Sequence, residues 1–163
     1  MSKYYINQKF SFRDRFTIKD ENLEDIFVAE GEFFSFLKKI TLQTMTGEDL
    51  LLIREKMSLL MAKFDFYIEE QLVCEMQQKF TWFKKHYEII TPPWRIEGDI
   101  WAHDYQVMDG NKTIAKISKK WFTIMDAYEI EVFEEDYLEL LLGIVIAIDI
   151  NLQKDAAAAS SST

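Results

Sequence analysis

Few side chains in this sequence are equipped for covalent or acid–base chemistry. There is one cysteine, Cys74, and there are two histidines, His86 and His103. A cysteine nucleophile needs an imidazole within hydrogen-bond reach, so Cys74 with His86 or His103 is the pair to consider. Cys74 falls two residues before Met76, at the same parity of a strand pattern whose Met76 position faces the core. A buried, inert thiol is therefore expected. His103 lies in Trp101-Ala102-His103-Asp104 beside a turn, and His86 opens a strand after Lys84 and Lys85. No Gly-rich phosphate loop, nucleophile elbow or zinc-ligand spacing occurs. The sequence thus predicts no catalytic residue, no metal site and no cofactor.

The lysines offer a different chemistry. The segment 77–87 carries Lys79, Lys84 and Lys85 without an acid, interleaved with Phe80, Trp82, Phe83 and Tyr87. The segment 111–125 carries Lys112, Lys116, Lys119 and Lys120, also without an acid. Lys79, Lys84, Lys85, Lys116, Lys119 and Lys120 are the candidate patch for an anionic ligand such as a lipid headgroup. The competing, and favoured, reading is an ordinary solvated face. Lys119 differs from the others because its strand parity points inward. It either snorkels or binds something.

The chain has 163 residues, enough for one domain with a sizeable core, and aromatics make up 15% of it, which favours strands. A net charge of −9 argues against general nucleic-acid binding, which needs cations to displace counterions. A lone cysteine and an N-terminus without an apolar leader predict a cytoplasmic protein. The longest apolar run, Leu140–Ile148, is about half the length of a membrane span.

What must position any site is a repeat. Six segments align without gaps: residues 6–10, 29–33, 53–57, 76–80, 96–100 and 117–121. Their first positions (Ile6, Ala29, Ile53, Met76, Ile96, Ile117) are apolar, and so are their fifth (Phe10, Phe33, Met57, Phe80, Ile100, Trp121). The fourth is always charged. Positions one and five share a face of a strand and position four takes the other, so both apolar columns are expected in the core. The third position reads Gln8, Gly31, Glu55, Gln78, Gly98 and Lys119, which suggests a bulge or a close backbone approach. A second short strand follows in each unit, at 16–18, 40–42, 64–66, 87–89, 105–107 and 128–130. Turn residues separate the units at 20–22, 46–48, 92–93 and 109–111. Twelve strands result, and a sheet of that size tends to curl or close.

The segment 137–150 breaks the alternation and is apolar nearly all round. A helix of that kind must be buried on every face. A last, long strand is the alternative. The acids ahead of it suit a helix N-terminus, and Asp149 is expected at the rim. Residues 153–163 are expected to form a disordered tail beyond a single domain spanning 1–152.

The residues Gln8-Lys9-Phe10-Ser11-Phe12, Phe16 to Asp20, Ile96 to Trp101, Ile117 to Phe122 and Ile146 to Asp149 together resemble the LURP-one-related family, in its small bacterial form. The resemblance covers about residues 4–152. It implies a tubby-like fold, a twelve-stranded antiparallel barrel around a central apolar helix, shared with phospholipid scramblases. Tubby domains bind phosphoinositides and scramblases act on lipids, but a shared fold does not transfer function. An EF-hand frame starting at Asp126 fails, because Tyr128 and Ile130 occupy liganding positions and Tyr137 stands where the bidentate Glu belongs. The expectation is a non-enzymatic binding domain, peripheral at a membrane phospholipid surface or bound to a protein partner. The alternatives are a purely structural interaction module without lipid affinity and, third, an enzyme acting on a small molecule inside the barrel.

Overall fold

The computed structural model of the chain describes residues 1–10, 14–32, 36–81, 84–122 and 125–161, apart from the side chains of 8–10, 14, 84–85, 120–122 and 125–126. These residues form twelve antiparallel strands closed into a barrel, followed by one long helix. In chain order the strands are β1 (Ser2–Phe10), β2 (Asp14–Lys19), β3 (Asp25–Gly31), β4 (Lys39–Thr44), β5 (Asp49–Lys56) and β6 (Lys63–Ile68). They continue with β7 (Gln71–Thr81), β8 (Lys84–Thr91), β9 (Trp94–Asp99), β10 (Asp104–Asp109), β11 (Lys112–Phe122) and β12 (Met125–Val132). Each strand pairs with its chain neighbours, and β1 closes the ring against β12 from Ser2↔Val132 to Asn7↔Ala127. The weakest seam is β8–β9, which share the single register pair Glu88↔Arg95.

Closure follows from the alternation of the short strands. Phe16 and Ile18, Ile40 and Leu42, Phe64 and Phe66, Tyr87 and Ile89, and Tyr105 and Val107 are all buried. One face of every strand is thus apolar, and a ring lets all those faces meet. A single-turn 3-10 helix at Glu135–Tyr137 leads into α1 (Leu138–Ser161), with Glu135, Asp136 and Glu139 at the two helix starts, where the macrodipole favours acids. Every residue from Leu140 to Leu152 is buried. The helix, rather than a thirteenth strand, fills the barrel.

Three expectations need correction. The helix does not stop at Ile150 with a disordered tail over 153–163, because it runs on to Ser161. Ala156–Ala159 are the best helix formers, and Lys154 and Asp155 tie the turn before them to the barrel wall. Asp149 is not at the rim: it is 4% exposed, with partners of its own. The fifth column is not uniformly core. Ile100 is buried, but Met57 is 77% exposed and Phe80 58% exposed. Both lie two residues beyond Glu55 and Gln78, which already meet the polar turn of the helix at Lys154 and Asp155, so they stand past the filled part of the barrel. Phe10, Phe33 and Trp121 lie outside the described side chains.

The third column has more than one answer. Gly98 is a close approach: its φ is +123°, and a Cβ there would meet the Asp104 carbonyl oxygen at 2.6 Å and Tyr105 Cα at 2.7 Å. Glu55 and Gln78 point inward to meet the helix.

Removing buried mass from the helix tests this core. Ile146→Ala, at a fully buried site, is expected to cost about 3 kcal/mol of unfolding free energy in a urea titration. A loss below about 1 kcal/mol would mean that the helix is not enclosed.

Candidate functional site

The barrel has two unlike ends. One carries the turns between units and the helix start, with Glu21, Glu24, Glu48, Glu69, Glu70, Glu135 and Asp136 all exposed. At the other end, here called the mouth, lie the loops within each hairpin and the second half of α1.

Inside the mouth the apolar core gives way to a polar layer. Asp149 Oδ1 accepts a 2.6 Å bond from the Tyr128 hydroxyl, and Oδ2 accepts one of 2.8 Å from Gln153 Nε2. Asn151 Nδ2 donates to the Tyr87 hydroxyl at 2.5 Å. Glu55 is gripped from both sides, its Oε2 accepting the Lys38 N–H at 2.9 Å and both its oxygens lying within 2.7 Å of Lys154 Nζ. Gln78 Nε2 reaches Asp155 Oδ2 at 3.5 Å. Buried polar groups are costly unless paired, and here third-column side chains and helix residues pair one another.

His103 belongs to this layer. It has a left-handed backbone, φ +54°, its ring packs edge-on against Tyr128 at 4.4 Å, and Nε2 lies 3.7 Å from Asp149 Oδ1. Burial, reinforced by the nearby Lys119 charge, holds the imidazole below its ordinary value, and Asp99 opposes that only in part. Burial likewise raises the Tyr105 hydroxyl, with Asp149 adding to the shift. The cavity bounded by His103, Tyr105, Tyr128 and Asp149 is about 10 Å³, room for about one water. Pockets that take small molecules are tens of times larger.

The lysine candidates fall on three strands, β7, β8 and β11. Lys79 is exposed near the end of β7, with Nζ 3.7 Å from Glu88. Lys84 and Lys85 open β8 opposite Thr81 and Phe80, and Lys120 stands opposite Ala127; their side chains lie outside the described residues. Lys116 is exposed in mid-strand, opposite Gln106 and Glu131. Lys119 is half-buried opposite Tyr128. β8 and β11 are separated by β9 and β10, about 14 Å around the ring. Lys79, Lys84, Lys85, Lys119 and Lys120 thus stand on the mouth-side halves of β7, β8 and β11, with β11 apart from the other two in the ring, and Lys116 stands in mid-strand.

Cys74 is buried on β7, and burial with Glu75 and Asp65 nearby pushes its thiol up to about 12. His86 pairs with Lys79, five residues along from Cys74, or about 17 Å. No nucleophile pair forms between them.

Sequence reasoning singled out the aromatic–lysine run 77–87 but missed the rest of the rim. Phe36 is 87% exposed, Leu59 100%, Leu60 89% and Trp101 55%, and Met57 and Phe80 join them. All six occupy or flank mouth loops. Lysines flank two of these loops: Lys56 and Lys63 face each other across the neck of the 57–62 loop, and Lys38 and Lys39 follow Phe36, with Glu32 on the other side; the loop of Trp101 is flanked by Asp99 and Asp104. The signal overlooked was K-MSLLMA-K at 56–63.

A family model described as LURP-one-related matches residues 2–149, which takes in every strand and the helix as far as Asp149. The chain belongs to the LURP-one-related family. The uncharacterized protein YxjI of Bacillus subtilis (strain 168) is 33% identical over 157 residues, covering 95% of this chain and 96% of its own. A protein of Arabidopsis thaliana solved by X-ray crystallography superposes with a TM-score of 0.64 over 92% of this chain and 91% of its own, at 16% identity, which makes it a likeness of fold. The LURP-one-related match stops at Asp149, so the Glu55–Lys154 contact uses a helix residue beyond it.

Two measurements probe the polar layer. Tyr128→Phe takes a donor from a buried carboxylate and is expected to cost about 1–3 kcal/mol in chemical denaturation. The folded protein takes up the His103 proton less readily than the unfolded chain. His103 is therefore neutral for stability above its ordinary value of 6.5 and destabilising as pH falls below it. Between about pH 7 and about pH 5 the melting temperature should fall more in the wild type than in His103→Gln. Parallel curves would refute the assignment.

Proposed function

We propose that this chain is a non-enzymatic binding domain that docks, mouth first, on an anionic phospholipid surface. The observation that carries the reading is the rim, where Phe36, Met57, Leu59 and Leu60 are each more than three-quarters exposed on mouth loops that carry Lys38, Lys39, Lys56 and Lys63, while the opposite end gathers acids and less exposed apolar side chains. Membrane-interface anchors combine apolar side chains that enter the acyl boundary with lysines that reach headgroups. Half-burying four side chains such as Phe36, Leu59, Leu60 and Trp101 would supply about 4 kcal/mol. Each lysine near an anionic surface adds about 1 kcal/mol. The net charge of −9 requires the orientation proposed, with the acidic end pointing away. The kinship implied with tubby-like and scramblase domains agrees by analogy only. A cytoplasmic chain, peripheral at the membrane, fits this use and the free thiol of Cys74.

A protein partner seated on the same rim is the second reading. It draws on the acidic neighbours of three of the lysines: Glu32 lies 2.8 Å from Lys39, Asp65 3.3 Å from Lys56 and Glu88 3.7 Å from Lys79. Such pairing weakens the electrostatic part of lipid binding and leaves the apolar part intact. A rim that acts only as a structural interaction module would show no lipid affinity at all.

Co-sedimentation with phosphatidylglycerol-containing vesicles separates the readings. Binding is expected at about 50 mM salt, weakening several-fold at about 500 mM. The double variant Leu59→Asn, Leu60→Asn should lose about thirty-fold in affinity, because two apolar anchors worth about 2 kcal/mol are removed. Leu23→Asn, at the far end, should change nothing. No sedimentation at low salt removes the lipid reading.

A further inference from the structure

On the outside of the barrel, away from the mouth, a second feature originates in the helix. Gly143 interrupts the apolar run of α1, and a Cβ there would meet Leu51 Cδ2 at 2.2 Å and Phe66 Cδ1 at 3.4 Å. Leu51 and Phe66 thus fill a notch, and β5 and β6 come closer to the helix axis than the other strands. Register shifts at Leu42/Gln43 and Phe66/Tyr67 flank this region. Bulges bend a strand and sharpen its twist. The outer face of the same strands carries a groove of about 530 Å³. That is within the range of ligand sites.

The groove has a charge order. Leu50 and Leu52, outward-facing yet half-covered, make an aliphatic floor. Toward the mouth, Arg54 and Lys39 face each other across the β4–β5 ladder. The Arg54 guanidinium lies 5.7 Å from the centre of the Tyr67 ring, which fixes its direction. At the opposite end stand Asp49, Glu69 and Glu70. Five residues of β5 separate Asp49 from Arg54, about 17 Å of strand. The neighbouring pairs Lys39–Glu32 at 2.8 Å and Gln43–Asp49 at 2.6 Å hold these charges in place and compete with a ligand for them.

We propose that this groove binds an extended peptide segment of about six residues, acidic at one end, basic at the other and aliphatic between. A free amino acid or a zwitterionic headgroup carries its two charges too close together to reach both ends. A closed barrel offers no free strand edge, so recognition runs through these side chains. Gly143 shapes the site from inside without touching the ligand.

Titration calorimetry with the capped hexapeptide acetyl-Glu-Glu-Leu-Val-Lys-Lys-amide tests the proposal. Saturable binding is expected below about 1 mM. Replacing the peptide's charged residues by Gln, or making Arg54→Glu in the protein, should weaken it at least about ten-fold. Leu52→Gln should weaken it through the floor, and Gly143→Ala by pushing β5 outward. If Gly143→Ala does not fold, the two surface variants decide alone, with folding checked by circular dichroism. Absence of saturation at about 1 mM, or equal binding of the Gln peptide, overturns the site. The Leu59→Asn, Leu60→Asn variant should bind the peptide as the wild type does, so failure at the rim and failure at the groove are told apart.

Discussion

A helix that is apolar on every side has to be surrounded, and the rest of this structure follows from that requirement. From Leu140 to Ile148 no face of α1 tolerates water, and a flat sheet or a pair of helices would cover only part of it. Twelve strands with one apolar face each, closed on themselves, cover all of it. Burial of that surface is the main driving force available. It also dictates where polar groups enter, namely where the helix itself turns polar at Asp149.

The change of character along the helix divides the molecule into zones. Below Asp149 the interior is hydrocarbon; above it, Tyr128, Tyr87, Glu55 and Gln78 reach in from the wall to meet Asp149, Asn151, Lys154 and Asp155. Low-dielectric surroundings strengthen such pairs and make their loss expensive. Beyond that layer the strands end, and their loops no longer have an apolar partner inside the barrel. The exposure of Leu59 and Leu60 and the satisfaction of Asp149 are two results of one transition.

Much of this was legible in the residues. The short strands, with apolar residues two apart, announced both the strand count and the inner face, because side-chain parity is a strict geometric rule. The helix declared itself by lacking that parity. What stayed hidden depended on distance along the axis, which parity does not encode. Met57 and Phe80 share the phase of core residues yet stand beyond the filled part of the barrel. Glu55 carried no mark of its partner Lys154, 99 positions later. The continuation of α1 to Ser161 depends on that same contact as well as on alanine propensity. Gly143 looked like a flaw in an apolar helix and becomes intelligible only beside Leu51.

The element that occupies the centre is also the last in chain order. During synthesis, which runs from the N-terminus, twelve strands emerge before the piece that fills them, and β1 waits for β12 across most of the chain. Until residues 138–152 have left the ribosome, the inner faces of the hairpins have only one another to cover. Such a nascent chain exposes long stretches of unsatisfied strand, and its final fold depends on holding that state apart from neighbouring chains until the centre arrives.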